Sequence, residues 1–277
     1  MFKILRREQI VPNMHLLEVG ASFVAKKALP GQFVIVMTDE KSERIPLTIS
    51  DWNQERGTIT IVFMEVGTST KKLANMKSGD YLYALLGPLG MPSEIENFGT
   101  VLCVGGCYGI GNIYPMARAL KEKGNRVISM IEGRSKFLIY WEDRIKKVSD
   151  ELMAVTRDGT TKYQGHVPEI LRKMISDGKK IDRVVAIGCT FMMMIASETT
   201  RESGIKTIVA LNPVMVDGTG MCGACRVSVG GSTRFACVDG PDFDGHQVDW
   251  EELFFRRAAY INEELDSLQK YECDVYP

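Results

Sequence analysis

The sequence predicts a β-barrel, then an α/β domain on a parallel sheet, then a small cysteine-bearing segment. Three observations lead there. Short alternating apolar runs separated by turn residues fill residues 1–97. Strand and helix patterns alternate over 98–211. Three of the seven cysteines, Cys222, Cys225 and Cys237, crowd into the remaining stretch, 212–277.

Composition narrows the function classes first. The 277 residues are 45% hydrophobic and 25% charged, the mix of a folded chain rather than a disordered or fibrous one. Lys plus Arg number 34 against 35 Asp plus Glu, a net charge of −1. That balance argues against a nucleic-acid partner, which selects a basic excess. Residues 98–117 and 184–197 carry no charge, but glycines, Asn112 and Pro115 break the first, and the second is too short to span a bilayer. The N-terminus has neither a long apolar run nor a small-residue cleavage site. The expected address is therefore cytoplasmic, without a membrane partner.

In the first part, residues 14–19 read as a strand. Residues 32–37 read as a second, entered through the turn Pro30-Gly31. Residues 58–63 alternate β-branched side chains and form a third, and 80–85 follow a Ser78-Gly79 turn as a fourth. In the second part, strands are expected at 100–104, 126–131, 151–155, 183–187 and 207–211. Helices are expected at 113–122, 137–148, 167–174 and 191–202. The third part holds the cysteines, an acidic stretch with Gly and Pro, and one helix over 250–268.

The cysteines carry the strongest chemical signal. Two residues separate Cys222 from Cys225, eleven separate Cys225 from Cys237, and four separate Asp217 from Cys222. A plant-type [2Fe–2S] site uses C-x4-C-x2-C and a distant cysteine, so Asp217 occupies the place of the first thiolate. Glycines around these residues let the backbone wrap closely and turn N–H groups toward sulfur. A zinc site with three thiolates and a further ligand such as His246 is the competing metal reading. Buried structural cysteines, with Asp217 an ordinary turn residue, are the bland alternative.

Gly105, Gly106, Gly109 and Gly111 sit between the strand at 100–104 and the following helix. Such a loop aims backbone amides at phosphate, and it also permits a tight strand-to-helix turn. A second loop holds Gly188, Cys189 and Met192. Both follow carboxyl ends of strands, where ligands of open α/β sheets bind. The loop at 132–136 offers Glu132, which suits a free ribose 2′-hydroxyl, and Arg134, which suits a 2′-phosphate, so it leaves NAD against NADP open. In the first part, Arg44 with Pro46, Leu47 and Thr48 offers a cation for pyrophosphate and a hydroxyl for a flavin ring. Residues 65–71 offer hydroxyls and amides to a second phosphate.

The R-x-P-L-T pattern at 44–48, the G-G-x-x-G-x-G loop at 105–111 and the C-terminal cysteine loop, in that order, resemble the ferredoxin–NADP reductase superfamily. The resemblance covers essentially the whole chain. Within the superfamily the sequence is similar to the branch of dihydroorotate dehydrogenase electron-transfer subunits and sulfide dehydrogenase small subunits. That branch also holds the small subunits of NADH-dependent ferredoxin:NADP oxidoreductases. Asp217 in place of a cysteine, the run from Cys237 to His246, and the loop at 132–136 favour the last subgroup. The chain departs from many relatives at Asn112-Ile113, where they carry Ala-Pro.

The resemblance implies FAD at Arg44, Pro46, Leu47 and Thr48, with further contacts at Phe63, Met64, Glu65, Gly67, Ser69 and Thr70. It implies NAD(H) at Gly105, Gly106, Gly109 and Gly111, with Arg134, Cys189 and Met192. It implies a [2Fe–2S] cluster on Asp217, Cys222, Cys225 and Cys237. It also implies a larger partner subunit with its own FAD, [4Fe–4S] clusters and an NADP(H) site, with ferredoxin reached through that partner and electron bifurcation in the heterodimer. No acid–base residue is expected, because hydride transfer requires none. Electron-transfer subunits of dihydroorotate- or sulfide-linked enzymes are the alternative within the family, and a zinc-binding nucleotide sensor is the alternative outside it.

Overall fold

The computed structural model describes residues 1–275. The first part forms β1 (Phe2–Val11), β2 (Met14–Gly20), β3 (Phe33–Met37), β4 (Ile45–Asn53), β5 (Thr58–Met64), β6 (Tyr81–Leu82) and β7 (Ala84–Leu89). They make one antiparallel sheet in the order β6-β1-β2-β5-β4-β3-β7. Its two edge strands, β6 and β7, are consecutive in the chain, so residues 81–89 nearly close the sheet into a barrel. The period of two assigns each face. In β5, Ile59, Ile61 and Phe63 enter the barrel core, whereas Val62 joins the cluster facing the second sheet. Two short helices, α1 (Ser22–Ala25) and α2 (Thr68–Asn75), add Val24, Ala25, Leu73 and Ala74 to the barrel core.

Residues 80–85 depart from the expectation of one strand. The ladder breaks at Tyr83, whose amide donates to the Met37 carbonyl at 3.0 Å. Residues 67–70, read from sequence as part of a stretch offering hydroxyls and amides to a phosphate, open α2, with Gly67 as its N-cap.

The second part alternates as expected: β8 (Thr100–Gly106), α3 (Gly109–Glu122), β9 (Arg126–Gly133), α4 (Glu142–Lys147), β10 (Glu151–Thr156), β11 (Tyr163–Gln164), α5 (Val167–Ser176), β12 (Arg183–Ile187), α6 (Thr190–Arg201) and β13 (Lys206–Ala210). β8 is buried at every position, as a central parallel strand must be. The helix expected over 137–148 shrinks to α4. Trp141, at φ 58°, is left-handed and stops a helix from running through it. Glu169 accepts from the His166 amide at 3.0 Å, and Pro168 sits in the first turn; together they start α5.

The third part adds the hairpin β14 (Arg226–Val229)–β15 (Ser232–Phe235), then β16 (Asp242–Asp244), α7 (Trp250–Arg257) and α8 (Ile261–Val275). β16 joins the second sheet, whose order is β11-β10-β9-β8-β12-β13-β16, parallel except for the last pair. The single helix expected over 250–268 is two, broken at residues 258–260. Beyond the break α8 lies along α2. Ser267 and Thr68 share a hydroxyl hydrogen bond of 2.9 Å, Asn75 Nδ2 donates to the Tyr271 hydroxyl at 3.1 Å, and Lys71 pairs with Glu272 at 2.8 Å.

Barrel and parallel sheet are joined directly. Asp51 on β4 pairs with Arg118 of α3 at 2.8 Å and with Arg144 of α4. Arg118 lies over the Trp52 ring at 5.0 Å, and Arg144 over Trp141 at 4.2 Å. No helix among the described residues is long and apolar enough to cross a membrane.

Candidate functional site

Two clefts open along the seam between the barrel and the carboxyl ends of the parallel strands. The first has a volume of about 260 Å³. The barrel contributes Pro46, Leu47 and Thr48 from β4, Phe63 and Met64 from β5, and Thr70 from α2. Opposite them stand Ile187 at the end of β12, Ala210 at the end of β13, and residues 211–213 with Met215. The walls are mostly apolar, with Tyr108, Asn112 and Asn212 as convergent polar groups. That is the lining a flat, weakly polar ring requires.

These polar groups are held in place. Asn212 Nδ2 donates to the Tyr108 hydroxyl at 2.6 Å, and that hydroxyl donates to the Gly188 carbonyl at 2.6 Å. Asn212 Oδ1 accepts from Thr190 Oγ1 at 2.9 Å, and Thr190 in turn bonds Arg257 of α7. Burial pushes the Tyr108 phenol up to about 12, so it remains a neutral donor at neutral pH. Asn112 Oδ1 accepts from Ser50 of the barrel at 2.9 Å, which gives a physical reason for the departure from Ala-Pro at this position.

Four residues expected near the flavin do not line this cleft. Arg44 Nε donates to the Val216 carbonyl at 2.9 Å and Nη2 to the Asp217 carbonyl at 3.3 Å, tying β4 to the cysteine loop. Glu65 Oε2 bonds His15 Nε2 at 2.8 Å. The Gly67 amide donates to Thr70 Oγ1 at 3.0 Å, and Ser69 donates to Glu43 at 2.9 Å.

The second cleft, about 650 Å³, shares Met64 with the first. Gly106, Arg134, Cys189 and Met192 line it, together with Cys107 and Phe191. Gly105, Gly109 and Gly111 do not. A Cβ on Gly109 would run into the Ile187 carbonyl, and one on Gly111 would lie 3.0 Å from Val62. These glycines let α3 sit close to β12 and to the barrel. The Gly111 amide is already committed, donating to the Tyr140 hydroxyl at 3.0 Å.

Arg134, Arg157 and Arg172 stand in the wall of the second cleft, beside Glu132 and Glu169. Glu132, 6% exposed at the end of β9, accepts from Arg157 Nε at 3.3 Å and from the Val167 amide at 3.1 Å, and pairs with His166 at 3.3 Å. Arg157 and His166 escaped the sequence reading. Their signal was available, since Arg157 directly follows β10 at the carboxyl edge of the sheet. Tyr108 and Asn212 carried no comparable pattern.

The cysteine loop follows directly on Pro213 and Met215, which line the first cleft. Gly218 has φ +83°, and a Cβ there would lie 2.8 Å from Leu89 and 3.0 Å from Ile35 of the barrel. Cys222 is exposed, whereas Cys225 and Cys237 are buried. Backbone hydrogen bonds from Ala224 and Asp217 hold the Cys222 thiol below its ordinary range. Burial and the neighbouring Cys225 thiol push Cys237 up to about 12, against a backbone hydrogen bond from Gly220. Asp217 Oδ2 accepts from the Thr219 amide at 2.9 Å, the Thr219 hydroxyl and the Met221 amide at 3.3 Å. These bonds, with Arg44 nearby, hold its carboxyl below the usual range. Backbone donors turned toward sulfur suit thiolate ligands of an iron–sulfur cluster. Among the described residues no three His, Cys, Asp or Glu side chains gather around a single metal-ion position.

Residues 212–249 match the family described as the iron-sulfur cluster binding domain of dihydroorotate dehydrogenase B. A dihydroorotate dehydrogenase B (NAD(+)) electron transfer subunit homolog from Thermotoga maritima is 44% identical over 269 residues, covering 97% of this chain and 95% of that protein. A chain of the NADH-dependent reduced ferredoxin-NADP oxidoreductase, solved in work on flavin-based electron bifurcation, superposes with a TM-score of 0.93. It is 43% identical, with 98% of each chain covered. A ferredoxin NADP+ reductase from Neisseria gonorrhoeae, solved with bound FAD and NADP, has a TM-score of 0.62 at 14% identity. It covers 73% of this chain and 90% of that one, and shares the fold. The chain is a member of the dihydroorotate dehydrogenase B electron-transfer-subunit family, built on the ferredoxin–NADP reductase fold.

Proposed function

We propose that this protein passes electrons between NAD(H), FAD and a [2Fe–2S] cluster, and exchanges them with a larger partner subunit, as in NADH-dependent reduced ferredoxin:NADP oxidoreductase. One observation carries the reading. The two clefts share Met64, and the cysteine loop follows directly on Pro213 and Met215 of the first, so this reading puts the three redox sites in a row. In this reading residues 1–97 hold FAD, 98–211 hold NAD(H), and 212–277 hold the cluster. When bound, the flavin accepts a hydride and releases electrons singly, which a one-electron cluster requires.

The chain's own residues bind and orient. Pro46, Leu47, Thr48, Phe63, Met64 and Thr70 form the flavin slot, and Asn112 and Tyr108 present polar atoms to the ring. Arg44, Glu65, Gly67 and Ser69, which do not line the slot itself, are assigned as outer contacts of the same cofactor. Gly106, Cys189 and Met192 floor the dinucleotide cleft, and Arg134 faces its phosphates. Gly105, Gly109 and Gly111 let the backbone come close. Cys222, Cys225 and Cys237 supply thiolates. Among the described residues no hydrogen bond occupies Asp217 Oδ1, which leaves that oxygen for iron.

The larger partner is expected to carry its own FAD, [4Fe–4S] clusters and the NADP(H) site, with ferredoxin docking there and bifurcation in the assembly. The test is anaerobic purification followed by NADH titration. Flavin bleaching, a [2Fe–2S] electron paramagnetic resonance signal with about two irons per chain, and copurification of a subunit reducing NADP support it. A colourless, zinc-loaded chain would end it. Copurification of a dihydroorotate-oxidising subunit would move the assignment to the dihydroorotate-linked branch.

A further inference from the structure

Cys107 and Cys189 stand at equivalent places on neighbouring strands. The last pair in the β8–β12 ladder is Gly105 with Ile187, and each cysteine lies two residues beyond. The backbones stay together past the ladder. A Cβ on Gly188 would lie 3.0 Å from the Gly106 oxygen and 3.3 Å from its nitrogen, and the Tyr108 hydroxyl binds the Gly188 carbonyl at 2.6 Å. Parallel strands run about 4.8 Å apart, and a disulfide takes a Cα separation of roughly 4.4–6.8 Å. Both residues are exposed and line the second cleft, and burial together with the charge of Cys189 holds the Cys107 thiol above its ordinary range. The other cysteines differ: Cys103 is buried, Cys273 lies on α8, and the remaining three belong to the loop at 222–237.

We propose that Cys107 and Cys189 form a dithiol site that reacts with low-molecular-weight disulfides and closes a reversible Cys107–Cys189 bond across the floor of the second cleft. One thiol, as thiolate, attacks a sulfur of the disulfide and expels one thiol of the reagent. The second cysteine, having lost its proton to solvent, attacks the mixed disulfide and expels the other. The two cysteines are oxidised by two electrons, and the reagent is reduced to two thiols. The bond joins the two loops beside Gly106 and Met192, on the surface where the nicotinamide end of the dinucleotide rests. It therefore blocks that end of the cleft. This functional consequence rests on the reading of the second cleft given above, whereas formation of the bond does not.

The test uses the full chain with its cofactors under anaerobic conditions. Oxidised glutathione is the probe, and the thiols are then alkylated and mapped by mass spectrometry. The expected product is a peptide pair linked through Cys107 and Cys189, together with at least a tenfold loss in the rate of flavin reduction by NADH. Dithiothreitol should restore that rate. Cys107→Ser and Cys189→Ser are each compared before and after oxidation, so that each protein is its own reference. Neither should form the linked pair; the remaining thiol, with no second cysteine to resolve it, should instead retain glutathione as a mixed disulfide, which the peptide map distinguishes from the Cys107–Cys189 bond. In the unsubstituted protein, absence of the linked pair, or glutathione retained on Cys189 alone, overturns the dithiol site. A linked pair with an unchanged rate overturns the block. If NADH fails to reduce the flavin of the fully reduced protein, the nicotinamide reading fails, and the peptide map still decides the dithiol site.

Discussion

At Asp242 a carboxylate is placed where its charge is unwelcome. Oδ2 accepts from the Ser93 hydroxyl, and Oδ1, sealed from solvent although the residue is only partly covered, has no hydrogen-bond partner among the described residues. Burial pushes its carboxyl up to about 6, from 3.8. Between these values the folded chain holds a proton that the unfolded chain has released. Stability from this group therefore rises as pH falls from 7 toward 4, and is lost as pH rises through 6. Asp242→Asn should stabilise the protein at pH 7.5 by on the order of 1–2 kcal/mol and do little at pH 4.5. Urea midpoints at the two pH values measure this, and an equal effect at both would refute it. Asp217 poses a separate question, because its carboxylate already braces its own loop through Thr219 and Met221. If it also ligates iron, Asp217→Cys should retain a cluster with an altered spectrum and a shifted reduction potential. An unchanged spectrum and potential would leave Asp217 a turn residue.

The element scale explains which features were legible before the fold was known. Strands such as β5 and β8 announce themselves because their own residues carry the pattern, β-branched alternation in one and a continuous apolar run in the other. The break between α7 and α8 has no such sign. Residues 258–260 are Ala, Ala and Tyr, and contact with α2, distant in sequence, begins only beyond the break. The glycine run shows the same limit within the site. From sequence its residues were equivalent, yet in space Gly106 faces a cleft while Gly109 and Gly111 answer to neighbouring elements. The brace between β4 and helices α3 and α4 was equally hidden, since Asp51, Arg118 and Arg144 meet only after folding. Asp51→Ala would leave two partly covered arginines facing each other without a counter-charge. The expected loss is about 2 kcal/mol. Unfolding followed by circular dichroism tests it. A loss below about 0.5 kcal/mol, the scale of an exposed ion pair, would make the contact incidental.

For the whole molecule, the order of its parts matters more than any single contact. The barrel supplies one wall of both clefts, the carboxyl ends of the parallel strands supply the other, and Arg44 binds the barrel to the cysteine loop. In the proposed function, electrons from NADH must then pass the junction at Met64, the side chain common to both clefts. An unbranched thioether suits that position, because it can yield to a ring approaching from either side. A rigid indole cannot. Met64→Trp should therefore slow NADH reduction of the flavin by tenfold or more, since a displacement of about 1 Å in a reacting pair already costs on the order of a hundredfold. Dithionite, which does not use the dinucleotide cleft, should still reduce both flavin and cluster. Stopped-flow traces with the two reductants separate these outcomes. If NADH and dithionite slow together, the substitution has damaged the flavin site itself. If neither slows, the dinucleotide reaches the flavin by a route that avoids Met64, and the linear order of sites proposed above is wrong.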